Sequence, residues 1–185
     1  MTTQLKEPPV KSALFSPAKL EQAYLKAGIM GFPGSGKTFT SVDVALGLYK
    51  YIKASKPVFA LDTETGMDFH VSRFKDAGVE LLVAKTRSFS DLIAAVNEAE
   101  QNGSILLIDS ITHFWVEIQA AYLKAKGRTD MTFGDWRPVK QTWAKFTDRY
   151  VNSRLHIIMA GRAGDTFDYF TDDAGKKQLE KTGTK

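Results

Sequence analysis

The residues Gly31-Phe32-Pro33-Gly34-Ser35-Gly36-Lys37-Thr38 follow the spacing G-x-x-x-x-G-K-[ST], the signature of a loop that wraps its backbone amides around nucleotide phosphates. The residue types suit that task. The unpaired amides at a helix start offer donors and a partial positive charge to a triphosphate, and Gly31, Gly34 and Gly36 let the chain approach where side chains would block it. Lys37 adds a mobile charge for the β and γ oxygens, and the Thr38 hydroxyl is a ligand for Mg²⁺. Pro33, Ser35 and Phe39 complete the expected nucleotide contacts. The competing reading, an ordinary glycine-rich turn before a helix, explains none of the lysine and hydroxyl chemistry. ATP or GTP is therefore the expected ligand, with Mg²⁺ as its companion.

Two acids stand where such a site needs them. Ile105-Leu106-Leu107-Ile108-Asp109 is an apolar run ending in a carboxylate, which places Asp109 at the end of a buried strand and in reach of the Mg²⁺ shell, through water. Apolar runs ending in Asp are common, so the loop upstream gives this one its meaning. Glu64 follows a second short apolar run, Val58 to Leu61. A carboxylate there can orient or deprotonate a water in line with the γ-phosphate, although a lone Glu after a strand is more often a solvated cap.

Positioning these groups requires a particular order of elements. Leu25 to Met30 reads as a strand, and Phe39, Val42, Leu46, Tyr49 and Ile52 recur at the helical period from Lys37 to about Lys53. Val58 to Leu61 is a second strand, Met67 to Asp76 a helix stopped by Gly78, and Glu80 to Ala84 a third strand. Ser88 and Asp91 form a capping box before the amphipathic series Leu92, Ile93, Val96 and Ala99, which closes at Asn102-Gly103. Helices are expected over Ile111 to about Lys126 and Trp136 to about Val151, with a fifth strand over Leu155 to Ala160 and Gly161 to Gly164 leading away from it. Alternating strands and helices, with Ile105 to Ile108 apolar on both faces, predict a three-layer α/β fold with a mainly parallel sheet. Thr166 to Phe170 and Gln178 to Thr182 are expected to pair as a hairpin around Asp172-Asp173-Ala174-Gly175.

At 185 residues, 43% of them hydrophobic and 25% charged, the chain suits one core domain. The expected division is an N-terminal arm over 1–23, an ATPase core over 24–165 and a C-terminal hairpin over 166–185, incomplete because a polar run ends it without a closing element. The arm interleaves Lys6, Lys11 and Lys19 with Pro8, Pro9 and Pro17. The chain lacks cysteine, and His70, His113 and His156 have no ligand spacing, which argues against disulfides and a thiolate or histidine metal centre. No apolar run reaches the roughly 18 residues of a membrane span, and the first residues lack a signal peptide's apolar core. A cytoplasmic protein without a membrane partner is expected. The net charge of +4 permits a polyanionic partner without requiring one.

The stretch Val58-Phe59-Ala60-Leu61-Asp62-Thr63-Glu64-Thr65-Gly66-Met67-Asp68, followed by Leu81-Leu82-Val83, a helix, and Ile105 to Ser110, resembles the core of RecA-like recombination ATPases over roughly Leu25 to Arg162. The P-loop string and the Lys-Thr-Gly-Thr-Lys ending are most similar to small phage-encoded RecA-like ATP-binding proteins, a group that includes single-strand annealing ATPases. The resemblance implies a RecA-like P-loop core of strand order 3-2-4-5-1, Glu64 as catalytic base and Asp109 as the Mg²⁺-shell acid. It also implies a homo-oligomer with ATP at subunit interfaces and, for a phage protein, the host cytoplasm. Asp68 matches an acid that contacts adenine, but the aromatic expected three positions later is Val71. Arg162 stands near the place of a polar γ-phosphate sensor. Lys176, Lys177 and Lys181 are candidates to reach a neighbour's phosphates.

The resemblance further implies single-stranded DNA contacts from Gly127 to Asp135 and Gly161 to Asp168. Arg128, Arg137 and Lys140 would track phosphates, and Phe133 or Trp136 would stack on bases. Against this, Trp136, Trp143 and Phe146 are spaced as one helical face, which is equally the pattern of core packing. The leading expectation is an ATP-hydrolysing protein of phage DNA recombination, annealing or replication, with a single-strand binding protein or another replication protein as possible partner. The alternatives are a nucleotide-dependent protein-assembly switch without DNA binding and, with less support, a nucleotide kinase.

Overall fold

A computed structural model describes residues 14, 23–171 and 177–184. The arm's Lys6, Lys11 and Lys19, the hairpin turn 172–175 and Lys176 lie outside them. The strands are β1 (Lys26–Gly31), β2 (Val58–Asp62), β3 (Leu81–Ala84), β4 (Ile105–Asp109), β5 (His156–Arg162), β6 (Asp165–Thr171) and β7 (Lys177–Thr184). The helices are α1 (Lys37–Tyr51), α2 (Val71–Asp76), α3 (Phe89–Asn102), α4 (Ile111–Lys126) and α5 (Trp136–Asn152). Strands β1 to β5 form one parallel sheet in the order β1-β5-β4-β2-β3. Read from the other edge, this is the expected order 3-2-4-5-1. Strands β6 and β7 form a separate antiparallel pair with an irregularity between Thr166 and Phe167.

The continuous apolar run of β4 is explained by what covers it. Ile105 and Leu107 face one buried cluster with Val42 and Ala45 of α1, Met67 and Phe74. Leu106 and Ile108 face the other, with Leu92, Val96 and Ala99 of α3, Phe114 of α4 and Phe146 of α5. Successive residues of a strand point to opposite faces, so a central strand with helices on both sides must be apolar throughout. Each fully buried aliphatic side chain of this kind contributes about 1.5–3 kcal/mol of transfer free energy. At the foot of the sheet, a β-carbon on Gly103 would lie 2.7 Å from the Phe59 ring and 2.9 Å from the Ala99 carbonyl, so the turn from α3 to β4 admits only glycine without a shift.

Several boundaries differ from expectation for local reasons. Gly66–His70 is a 3-10 turn that enters α2, where the sequence predicts one helix over Met67 to Asp76. Strand β5 runs on to Arg162, because Gly161 and Arg162 pair with Met30 and Gly31 of β1. The stretch Gly161 to Asp168 is consequently the end of β5, a two-residue link and the start of β6 rather than a loop. Within the loop after α4, Phe133–Asp135 forms a 3-10 turn capped reciprocally by Thr132 and Asp135. Among the described residues no helix is long and apolar enough to cross a membrane.

Candidate functional site

The P-loop joins the carboxyl end of β1 to the amino end of α1. Gly34 and Gly36 have φ of 77° and 81°, a region costly for other residues. A β-carbon on Gly31 would approach Ser35 Oγ to 2.5 Å, so a side chain there would have to push the Ser35 hydroxyl aside. The Ser35 amide donates to the Phe32 carbonyl at 3.2 Å and closes the turn. Lys37 is only 8% exposed, and its Nζ donates to the same carbonyl at 2.9 Å. A phosphate oxygen is a stronger acceptor than this neutral carbonyl, which leaves the ammonium ready to change partners.

Thr38 Oγ1 donates to Asp109 Oδ2 at 2.5 Å, bringing the hydroxyl and the acid at the end of β4 together as the motif predicts. Asp109 is 2% exposed. Burial pushes its carboxyl above the usual range, against the Thr38 hydrogen bond, and the Glu64 and Asp62 charges add to the rise. A buried carboxylate whose charge is this poorly compensated suits a hard cation with oxygen ligands. Among the described residues no group of three or more His, Cys, Asp or Glu could hold a metal ion by itself. A cation at Thr38 and Asp109 would thus draw its remaining ligands from phosphate and water.

The acidic stretch after β2 divides its labour. Asp62, buried, accepts from the amides of Glu64 at 3.0 Å, Gly66 at 3.2 Å and Met67 at 3.0 Å, so it builds the turn. Thr63 ties β2 to β4: its amide donates to the Asp109 carbonyl at 2.6 Å, and its Oγ1 accepts from the Ser110 amide at 2.8 Å. The same hydroxyl lies 3.1 Å from the Asp109 carbonyl and 2.7 Å from His113 Nδ1. Arg87 grips the Thr63 carbonyl with Nε at 3.2 Å and Nη2 at 2.9 Å. Glu64 emerges from this pedestal. Its Oε1 accepts from Arg162 Nε at 2.7 Å and lies 3.8 Å from His113 Nε2. The Arg162 hydrogen bond holds the Glu64 carboxyl below its usual range despite partial burial. Burial and the Arg87 charge lower His113.

A family model described as an AAA domain matches residues 23–184. The chain belongs to this AAA domain family. A search of curated proteins finds no match. Membership makes the chain an AAA-type, P-loop ATPase-like protein and points to nucleotide-dependent ATPase activity, in keeping with the loop and strand ends just described.

The remaining sites expected for this AAA domain separate into engaged and exposed residues. Asp68, expected at the base, pairs with Lys85 Nζ at 2.6 Å on the surface. Phe39 is exposed beside the P-loop, with the Arg73 guanidinium 4.4 Å from its ring centre and the His70 ring edge-on at 6.0 Å. Arg73 is itself paired with Asp43. Arg128 is bound to Asp135 Oδ1 at 2.6 Å, and Asp135 also accepts from Thr132 N at 2.7 Å, Thr132 Oγ1 at 2.6 Å and Tyr122 OH at 3.0 Å. These bonds, those of Thr132 foremost, pull the Asp135 carboxyl far below its usual range. Trp136 stacks on Trp115 of α4 with centroids 6.4 Å apart, and Trp143 packs on Trp115 and Phe146. Phe146 is buried and Trp143 packs against the same core, whereas Trp136 is half-buried at its edge.

Phe133, 96% exposed, stands with Arg137 and Lys140 on an open groove of about 520 Å³ that also includes Trp136, Gln141 and Ala144. Lys177 and Lys181 fall on β7. Sequence reasoning assigned no role to Asp62, Thr63, Arg87 or His113. The Asp62 turn carries a local signal, an Asp followed closely by Gly66. The other three act across the sheet and leave none.

Proposed function

We propose that this AAA domain is a RecA-like, Mg²⁺-dependent ATPase of the phage recombination and annealing type, whose turnover is coupled to single-stranded DNA. The observation that carries the ATPase reading is the meeting of three strand ends: the Thr38–Asp109 pair at the P-loop and Glu64 just past the end of the adjacent β2, anchored through Thr63 to the Asp109 carbonyl. In this reading the loop amides and Lys37 bind the β- and γ-phosphates. Thr38 and, through water, Asp109 would hold Mg²⁺, which when bound supplies charge neutralisation between the phosphates. Glu64 orients a water in line with the γ-phosphorus and accepts its proton. The water oxygen bonds to phosphorus as the bond to the β–γ bridging oxygen breaks, and ADP leaves with that electron pair.

The DNA part rests on the resemblance and on Phe133, Arg137 and Lys140, an exposed aromatic and two cations lining one groove, which suits a base stack beside a phosphate track. Homo-oligomerisation with ATP at the interface belongs to the same reading. A protein-assembly switch is the second reading, favoured by the engagement of Arg128 and Trp136 within the fold. Steady-state ATP hydrolysis with Mg²⁺, with and without single-stranded DNA and with Lys37→Ala as blank, separates the two. Turnover lost in Lys37→Ala and raised by DNA is the expected result. Turnover unaffected by DNA favours the switch, and turnover retained in Lys37→Ala removes the P-loop from the chemistry.

A further inference from the structure

Arg162 reaches Glu64 across the mouth of the site. In the sheet, Arg162 lies opposite Gly31, the first residue of the P-loop, while Asp109 on the intervening β4 lies opposite Ala160 on one side and Asp62 on the other. The Arg162–Glu64 bond at 2.7 Å therefore links the end of β5 to the segment after β2 by passing over the end of β4. That span passes over the strand end that carries Asp109, which is itself bonded to Thr38 of the P-loop helix.

The two ends of the bond differ in freedom. The backbone around Arg162 is fixed: its amide donates to Thr112 Oγ1 at 2.9 Å, and the next amide donates to the Gly31 carbonyl at 3.0 Å. Its side chain is exposed and can change partners without disturbing the strand. Glu64 has a second cationic-capable neighbour at hand in His113, whose ring is moored to the Thr63 hydroxyl. While Arg162 holds Oε1, the guanidinium takes one acceptor site of the carboxylate, fixes its orientation and draws on its negative charge, so Glu64 is a weaker and less freely aimed partner for a water.

We propose that Arg162 is a latch on Glu64 that the γ-phosphate opens: the guanidinium leaves the carboxylate for the phosphate, and Glu64 is released to position water only when a triphosphate is bound. This rests on the ATPase reading above and deepens it. A γ-phosphate offers more negative charge and more acceptor oxygens than one carboxylate, so the exchange is favourable for ATP and has no driving force for ADP. Discrimination between the two nucleotides is thereby built into the hydrolytic residue's own partner, and the carboxylate competes with the γ-phosphate for one cation.

That competition fixes the test. Affinities for ADP and for the imido-bridged, non-hydrolysable ATP analogue, both with Mg²⁺, are measured by calorimetry for wild type, Glu64→Gln, Arg162→Ala and the double variant. Glu64→Gln should tighten the analogue on the order of 3- to 10-fold, as expected for releasing a partly exposed ion pair, with ADP unchanged. In the Arg162→Ala background that gain should vanish. If Glu64 merely repelled the phosphate, the gain would persist or grow once Arg162 is gone, and the latch would be wrong. A Glu64→Gln effect equal for ADP and the analogue, no effect at all, or loss of ADP binding in Arg162→Ala would overturn it equally. A wild-type protein that binds neither nucleotide overturns the ATPase reading and the latch together, whereas binding without coupling overturns the latch alone.

Discussion

The strand ends around Asp109 and the segment from Arg128 to Lys140 use the same kinds of residue, an arginine on an acid with hydroxyls beside it, to opposite effect. At the strand ends, Thr63, Asp62 and Arg87 hold backbone, and the acids Glu64 and Asp109 each keep a side-chain partner, Arg162 and Thr38, that the proposed mechanism exchanges for substrate or metal. In the loop after α4, Arg128, Thr132 and Tyr122 all close on Asp135, which is buried beneath them. A functional site uses its hydrogen bonds for positioning and keeps one exchangeable partner at each reactive atom, whereas a structural cluster closes on itself. The distinction lies in what each acid has left to exchange, not in residue type.

The largest test of that contrast is Glu64→Gln against Asp135→Asn. Loss of the proposed general base should lower kcat by about 10²–10⁴-fold while ATP binding is kept or tightened and the thermal midpoint stays near wild type. Asp135→Asn should do the reverse, lowering the midpoint with little direct effect on kcat per folded molecule. If Glu64→Gln also abolishes ATP binding, Glu64 is a ligand or a support and the contrast fails at its first member.

Thr63→Val sharpens the same comparison inside the active region. The variant keeps the volume but removes the oxygen that accepts from the Ser110 amide and meets His113. Leaving a buried amide unpaired costs about 1–3 kcal/mol, read as a lower urea midpoint at unchanged slope. Because Glu64 follows directly, kcat should fall more than KM rises. A variant that loses stability while kcat holds would show that the link between β2 and β4 supports the fold but does not aim the carboxylate.

How far these roles were legible depends on how far apart their partners stand. The P-loop and the apolar run ending in Asp109 are contiguous strings, and the structure brings Thr38 and Asp109 into contact. The strand order followed from the family resemblance rather than from periodicity. Thr63 and His113 are separated by 50 residues and meet only because β2 and β4 are neighbours, so no local pattern marks them. Trp136 shows the converse. Its spacing to Trp143 and Phe146 predicted a shared face, but the stacking partner, Trp115, comes from another helix. Strand β5 outran its apolar residues because backbone pairing with β1 does not require apolar side chains at Gly161 and Arg162.

Acid should separate the two regions further. The Asp135 carboxyl is depressed in the folded state by its Thr132, Arg128 and Tyr122 bonds, so it contributes stability that is present above the unfolded value, near pH 3.9. That stability is lost as pH falls through the lower folded value. The difference in stability between wild type and Asp135→Asn should be constant from neutral pH down to about 4 and shrink below it, measured by urea titration at each pH. A difference that grows on acidification would mean that Asp135 is not held as its charged form.

The smallest expected effect bears on the outer groove. Arg137 and Lys140 are exposed beside Phe133, while Arg128 is committed to Asp135. If single strands follow this groove, Arg137→Ala with Lys140→Ala should weaken binding a few-fold and flatten the salt dependence by roughly 0.7 in log–log slope for each phosphate no longer neutralised. Arg128→Ala should leave the slope alone and lower the thermal midpoint, because its charge is already engaged within the fold. An unchanged slope in the double variant would remove the groove from any DNA site. A slope that falls in Arg128→Ala would instead mean that the Asp135 pair opens for phosphate as the Glu64 pair is proposed to do, and the two regions would then differ in degree rather than in kind.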